Sequence, residues 1–144
     1  MSVLPSTGTV FGEDGNDNLA GGTATDRLAG GVGNDTLSGN GGNDLLNGGV
    51  GNDRLLGDLG NDNSTGGLNN DVFVFNTAPN TTTNRDIVTD FNHVADTFQM
   101  ENAVFTRLGA GAAHALNPAS FRAGAAALDA NDHIIYNHVT GAHL

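Results

Sequence analysis

Apolar side chains return every nine residues through the first half of the chain. Leu19, Leu28, Leu37, Leu46, Leu55 and Phe73 share one phase of that period, and Ser64 is the one polar residue on it. A period of nine matches neither the ~3.6 of an amphipathic helix nor the ~2 of a long half-buried strand. It matches a short strand that turns one side chain inward, then a tight reversal, then the same again. From Gly12 to Val74 the sequence divides without a gap into GEDGNDNLA, GGTATDRLA, GGVGNDTLS, GNGGNDLLN, GGVGNDRLL, GDLGNDNST and GGLNNDVFV. The first position is always glycine: Gly12, Gly21, Gly30, Gly39, Gly48, Gly57 and Gly66. The sixth is always aspartate: Asp17, Asp26, Asp35, Asp44, Asp53, Asp62 and Asp71. Disordered low-complexity sequence shares this composition but does not hold phase.

These residue types suit a solenoid. The eighth position and its two neighbours predict a three-residue strand, and the six residues before it predict the turn. Glycine takes positive φ there without penalty and Asn is next best tolerated, so Asn69 can stand at a turn position. Ala24, at the same place in the second unit, is a poorer substitute. One reversal per unit makes two units a coil of eighteen residues. Like strands then stack ~4.8 Å apart in a parallel solenoid, with the turns in two columns, odd units on one edge and even units on the other.

Composition narrows the chemistry. The chain has 144 residues, enough for one domain or a small domain with a cap, and only 38 % of them are hydrophobic. The formal net charge is −11, from 14 Asp, Glu13 and Glu101 against Arg27, Arg54, Arg85, Arg107 and Arg122, with no lysine. Such a surface argues against nucleic acid and against a polybasic membrane contact. No apolar run approaches the ~20 residues of a membrane span. Cysteine is absent, which removes disulfides and thiolate metal sites. The start, Met1 to Pro5, has neither the basic region nor the apolar stretch of a Sec-type signal peptide.

Short carboxylates in a fixed column point to a hard cation. Asp is a common turn residue, but turn propensity alone does not explain why the sixth position is always Asp while the fifth is mostly Asn. Two stacked turns offer two carboxylates and several backbone carbonyls. That set suits Ca²⁺, which takes ~6–8 oxygen ligands; Mg²⁺ demands strict octahedral geometry and zinc prefers nitrogen and sulfur. Metal ions are expected between units two apart. The seven units give five pairs: Asp17/Asp35, Asp35/Asp53, Asp53/Asp71, Asp26/Asp44 and Asp44/Asp62. Asp90 and Asp96 are candidates for one further site.

The units resemble the GGxGxDxUx nonapeptide of RTX (repeats-in-toxin) proteins, best in Gly30–Ser38 and Gly48–Leu56. Later segments, Asp71–Phe75, Arg85–Phe91, Asp96–Phe98, Phe121–Ala127 and Ile134–Asn137, resemble the region that follows the roll in serralysin-type secreted proteins. The resemblance implies an all-β fold: a right-handed parallel β-roll with a β-rich C-terminal cap. It implies calcium as cofactor, with about five sites. It also implies export by a type I secretion apparatus to the extracellular space, with folding on calcium binding.

The organisation expected is a lead-in over 1–11, the roll over 12–74 and a cap over 75–144. Asn76–Asn84 reads as a polar loop, Ile87–Phe91 and Thr97–Met100 as short strands, Asn117–Phe121 as a short helix, and Ile134–Tyr136 as a strand entering a hairpin turn. Catalysis finds no support: HExxH and GxSxG are absent, and His93, His114, His133, His138 and His143 all lie in the second half. This chain is therefore not expected to be an enzyme, although it could serve a secreted protease, lipase or toxin. The alternative is a stand-alone extracellular adhesion, matrix or self-assembling protein. An ice-binding roll would need an outward Thr ladder, and Thr23, Thr25, Thr36 and Thr65 are out of register for one. If Ile134–Tyr136 lacks a strand partner, its open edge would favour self-association through the cap.

Overall fold

Each inward side chain meets its counterpart one coil away. In the computed structural model, residues 7–77 and 82–101 are described in full, and Ser2–Val3, Phe121–Ala123 and Ile134–Tyr136 as strands. Strands β1 (Ser2–Val3), β2 (Thr9–Asp14), β3 (Asn18–Ala20), β4 (Arg27–Val32), β5 (Thr36–Ser38), β6 (Leu45–Val50), β7 (Arg54–Leu56), β8 (Asn63–Leu68), β9 (Val72–Phe75), β10 (Ile87–Val88) and β11 (Thr97–Met100) alternate between two sheets. One sheet has the order β1-β3-β5-β7-β9-β11 and the other β10-β8-β6-β4-β2. All pairings are parallel, and no helix occurs among the described residues. The fold is an all-strand parallel solenoid.

Register puts the apolar column of the sequence into two ladders. Leu19, Leu37, Leu55, Phe73 and Phe98 stack in one sheet. Val10, Leu28, Leu46, Ser64 and Val88 stack in the other. Both ladders face one narrow core, and Leu37 and Leu46 are wholly buried in it. Ser64 is buried too, so its hydroxyl interrupts the second ladder between Leu46 and Val88.

The two sets of strands differ in length, which the repeat does not predict. β3, β5 and β7 have three residues, as expected, whereas β4, β6 and β8 have six. The longer strands run on through the first three positions of the next unit. Gly31 pairs with Gly49 and Val32 with Val50, so the odd-numbered turns stack closely enough to keep their backbones in one ladder. Gly31, Gly49 and Gly67 take a left-handed φ of 108–111° within these strands, and the pairing continues past them to Val32, Val50 and Leu68.

Stacking runs past the nonapeptide repeats at both ends. β1 joins β3 ahead of them, and β10 and β11 pair with β8 and β9 after them. The polar loop lengthens the last coil: Ile87 lies 24 residues beyond its partner Asn63, and Thr97 lies 25 beyond Val72. The loop is tied down where it is described. Asn76 Nδ2 donates to Asp58 Oδ1, Thr77 Oγ1 to the Asp58 carbonyl, and Asn84 Nδ2 to Thr77 Oγ1. Above the last Leu of the core, Phe91 and Phe98 stack at 4.0 Å, with Phe73 6.1 Å from each. These rings close the end of the core that a truncated solenoid would expose.

Two expectations for the tail change. Ile134–Tyr136 (β13) does have a partner: it pairs in parallel with Phe121–Ala123 (β12). The premise for an unpartnered strand there therefore fails. Phe121, the expected end of a helix, begins β12; residues 117–120 and the turn after Tyr136 lie outside the described residues.

Truncating either ladder should be costly. Leu37→Ala and Leu46→Ala are each expected to destabilise the folded roll by ~2–5 kcal/mol, as buried Leu truncations do, read by chemical denaturation at saturating calcium. Backbone amides around Ser64 should exchange hydrogen faster than those around Leu37, because the polar ladder position packs less well. Slower exchange at Ser64 would contradict this.

Candidate metal centre

The sixth-position aspartates form a continuous ladder through the coils. On one edge, Asp17 N–H donates to Asp35 Oδ1 at 2.8 Å, Asp35 to Asp53 at 2.8 Å, and Asp53 to Asp71 at 3.0 Å. On the other, Gly8 N–H donates to Asp26 Oδ1 at 2.8 Å, Asp26 to Asp44 at 2.8 Å, and Asp44 to Asp62 at 2.7 Å. In the six sixth-position carboxylates from Asp26 to Asp71, Oδ1 thus fastens the preceding coil.

The other oxygen is left alone. Oδ2 of Asp17, Asp35, Asp44, Asp53, Asp62 and Asp71 is buried with no hydrogen-bond partner. Buried polar atoms are almost always paired, and a buried unpaired carboxylate oxygen is among the costliest exceptions. Each of these oxygens points at the first-position glycine of its own unit. A Cβ on Gly30 would collide with Asp35 Oδ2 and would lie 2.5 Å from the Gly48 carbonyl oxygen of the next coil. Gly12 combines Asp17 Oδ2 with the Gly30 carbonyl, Gly39 combines Asp44 Oδ2 with Gly57, and Gly48 combines Asp53 Oδ2 with Gly66. First-position glycine is thus required for space, since no positive φ occurs at these positions. A carboxylate oxygen and a backbone carbonyl converging on one cradle are two hard donors. That donor set fits a calcium ion and nothing softer.

Unit two departs from the others. Neither Gly22 nor Ala24 takes a left-handed φ, and the Gly22 N–H donates to Asp26 Oδ2 at 2.7 Å. Asp26 therefore has both oxygens occupied, which matches the weak turn expected from Ala24. The expectation that Asp35, Asp44 and Asp53 each serve two metal ions also meets a constraint. Their Oδ1 atoms already accept a backbone N–H, so each has one oxygen without a hydrogen-bond partner.

Asp90 and Asp96 are placed differently from the expected extra site. Asp90 accepts the Gly66 N–H on Oδ1 and the Gly67 N–H on Oδ2. Asp96 accepts the Asp71 N–H on Oδ1 and the Asn92 N–H on Oδ2. Both fasten backbone with both oxygens. His93 is exposed, and the other four histidines lie outside the described residues.

Two features escape a reading of the repeat alone. The fifth-position asparagines form a second ladder that runs in the opposite sense. Asn34 N–H donates to Asn16 Oδ1, Asn52 to Asn34, Asn70 to Asn52, and Asn61 to Asn43. An amide suits this exposed ladder because it carries no charge. The second feature is Asp86, which accepts the Asp62 N–H at 3.1 Å. Its signal was present as D-x-apolar in Asp86-Ile87-Val88, the same pattern as Asp71-Val72-Phe73.

Burial raises the carboxyl groups of the roll. Desolvation, reinforced by neighbouring aspartates, lifts Asp44 from 3.8 to about 7 and Asp71 to about 6, and moves Asp53 upward. A raised folded-state pKa means the folded chain binds protons more readily than the unfolded one. The stabilisation is complete below the ordinary carboxylate value and is lost as pH rises through about 6 to 7. In excess chelator, β structure should therefore increase on acidification from pH 8 to pH 5, followed by far-UV circular dichroism. No gain over that range would contradict the assignment.

A family-model match agrees with the geometry. Residues 8–37 and 38–73 match the family model of the RTX calcium-binding nonapeptide repeat (4 copies). The chain is also similar to the AlgE6R3 subunit of the Azotobacter vinelandii mannuronan C5-epimerase, whose solution structure is known. Identity is 32 %, over 69 % of this chain and 53 % of that one, with a TM-score of 0.31. This chain thus spans about half the length of that subunit. No curated protein matches the chain. The stretch from residue 8 to residue 73 belongs to the RTX calcium-binding nonapeptide repeats.

Proposed function

We propose that this chain is a calcium-dependent folding module of a secreted protein, exported unfolded by a type I secretion apparatus and folded outside the cell. The observation that carries this reading is the row of buried Oδ2 atoms without hydrogen-bond partners. Stacked carboxylates of one sign repel, and burial removes the water that would screen them. Without a counter-ion the ladder opposes the fold; with calcium the same carboxylates hold the coils together. Metal-binding energy then becomes folding energy.

The residues that would hold the ions are Asp17, Asp35, Asp44 and Asp53 through Oδ2, with the carbonyls of Gly30, Gly48, Gly57 and Gly66. Asp26 would contribute the weakest of the five expected sites, since Gly22 already occupies its Oδ2. Asp62 and Asp71 present the same unpaired oxygen at the end of the repeats. Calcium supplies charge neutralisation and oxygen coordination; the chain supplies register. Extracellular calcium is roughly millimolar, and extracellular modules bind at ~10⁻⁴–10⁻³ M. A cytosol poor in calcium would keep the roll unfolded, a state that can be threaded through a channel. The module acts by folding. No helix among the described residues is long and apolar enough to cross a membrane.

A second reading, a self-assembling extracellular protein, draws on one surface. Val32, Val50 and Leu68 lie in register along one edge and are 52 %, 43 % and 64 % exposed. Light scattering on the calcium-loaded chain separates the readings, since a monomer at high concentration excludes assembly.

A calcium titration followed by far-UV circular dichroism tests the main reading: a cooperative gain of β structure is expected, and equal structure in chelator and calcium would overturn it. Gly30→Ala should raise the calcium midpoint roughly tenfold, because overpacking costs ~1–3 kcal/mol and ~1.4 kcal/mol is tenfold. Asp35→Ala should raise it more than Asp17→Ala, since Asp35 also fastens the Asp17 N–H. Equal effects at the two positions would count against the ladder.

A further inference from the structure

Six of the seven sixth-position aspartates keep an unpaired Oδ2, and Asp26 is the exception. It is wholly buried, with Oδ1 accepting the Gly8 N–H at 2.8 Å and Oδ2 the Gly22 N–H at 2.7 Å. The cause lies in the turn. In the other six units the second and fourth positions both take left-handed φ, from 67° at Asn40 to 145° at Gly60. In unit two neither does. A Cβ disfavours that region, and Ala24 carries one where five units have glycine and one has Asn69. Gly22 stays out of it too, although glycine is free to enter.

The change of turn redirects one N–H. In units four and seven the second-position N–H reaches the next coil: Asn40 donates to Asp58 Oδ2 and Gly67 to Asp90 Oδ2. In unit two the Gly22 N–H turns back to the aspartate of its own unit. Asp26 Oδ2 and the Gly39 carbonyl still converge beside Gly21, so the cradle is present. Its carboxylate oxygen is already committed, however, to a short charge-assisted hydrogen bond. An ion there would have to break that bond and leave the Gly22 N–H without its acceptor, its positive end directed at a cation.

We propose that unit two is an ion-free turn, in which the Gly22 N–H does for Asp26 what calcium does for the other aspartates. The proposal rests on the calcium reading above and concerns the site placed weakest there. At calcium concentrations that fill the other cradles, the one between Asp26 and the Gly39 carbonyl stays unfilled. The chain alone then fastens the start of the even edge, through Gly8 and Gly22, and one residue, Ala24, decides it.

Ala24→Gly turns GGTATD into GGTGTD and so restores the repeat. Native mass spectrometry of the full chain, at a calcium concentration that saturates the far-UV signal, counts the ions. The variant is expected to bind one calcium more than the unsubstituted chain. An equal or smaller number in the variant would overturn the ion-free turn. Should Ala24→Gly fail to fold, the calcium-loaded unsubstituted chain decides through the nuclear magnetic resonance coupling across the hydrogen bond, from Gly22 nitrogen to the Asp26 carboxyl carbon. A measurable coupling supports the clasp, and its absence overturns it. If the unsubstituted chain binds calcium and Ala24→Gly binds no more, this inference alone fails; if neither binds calcium, the folding-module reading fails with it.

Discussion

A carboxylate with two different tasks holds this protein together. In Asp35, Asp44 and Asp53 one oxygen accepts a backbone N–H from the coil before, and the other is buried beside a carbonyl of the coil after. The first task needs only a hydrogen-bond acceptor, which Asn would also supply. The second requires a negative charge, because a neutral amide placed there would bring its own N–H groups or a weaker oxygen to the cradle. That difference accounts for an invariant Asp beside a mostly Asn neighbour.

The two ladders divide the labour of keeping register. Asparagines pass hydrogen bonds from later coils back to earlier side chains, while aspartates receive them from earlier coils. Each junction between coils is thus fastened from both sides, and a slip of one residue would break both ladders and turn the Leu column to solvent. The narrow core cannot supply that specificity alone. It offers one aliphatic side chain per unit, and one of its positions is Ser64.

The fold was legible because the period carries it. Nine residues with fixed Gly, Asp and Leu specify a strand and a turn, and an eighteen-residue coil follows from one reversal per unit. What the period does not carry is any difference between the two edges. The six-residue strands on one side arise from how Val32, Val50 and Leu68 stack, a property of neighbouring coils. The Asp column was equally legible as a set of candidate ligands, yet its division into a hydrogen-bonded and an unpaired oxygen was not, because that depends on which way a carboxylate rotates. Asp90 and Asp96 look like further ligands from composition, but two backbone N–H groups reach each of them. Asp86 looks like an ordinary loop acid until β10 puts it in register.

Glycine serves two separate purposes here, and the distinction decides where substitution is tolerated. At second and fourth positions the requirement is conformational. Glu13, Asn40, Asp58 and Asn69 adopt left-handed φ there, so the penalty can be met by residues other than glycine. At the first position the backbone is ordinary and the requirement is volume: a Cβ would collide with the Asp Oδ2 of its own unit and, at Gly12, Gly21, Gly30, Gly39 and Gly48, with the next coil's carbonyl as well. The column that admits no exception in seven units is the one that keeps this space open, while the columns that need unusual dihedrals do vary. Strain in a turn can be offset by the rest of the coil, but a filled cradle cannot be emptied. The sequence pattern therefore follows the donor geometry more strictly than it follows the turn conformation.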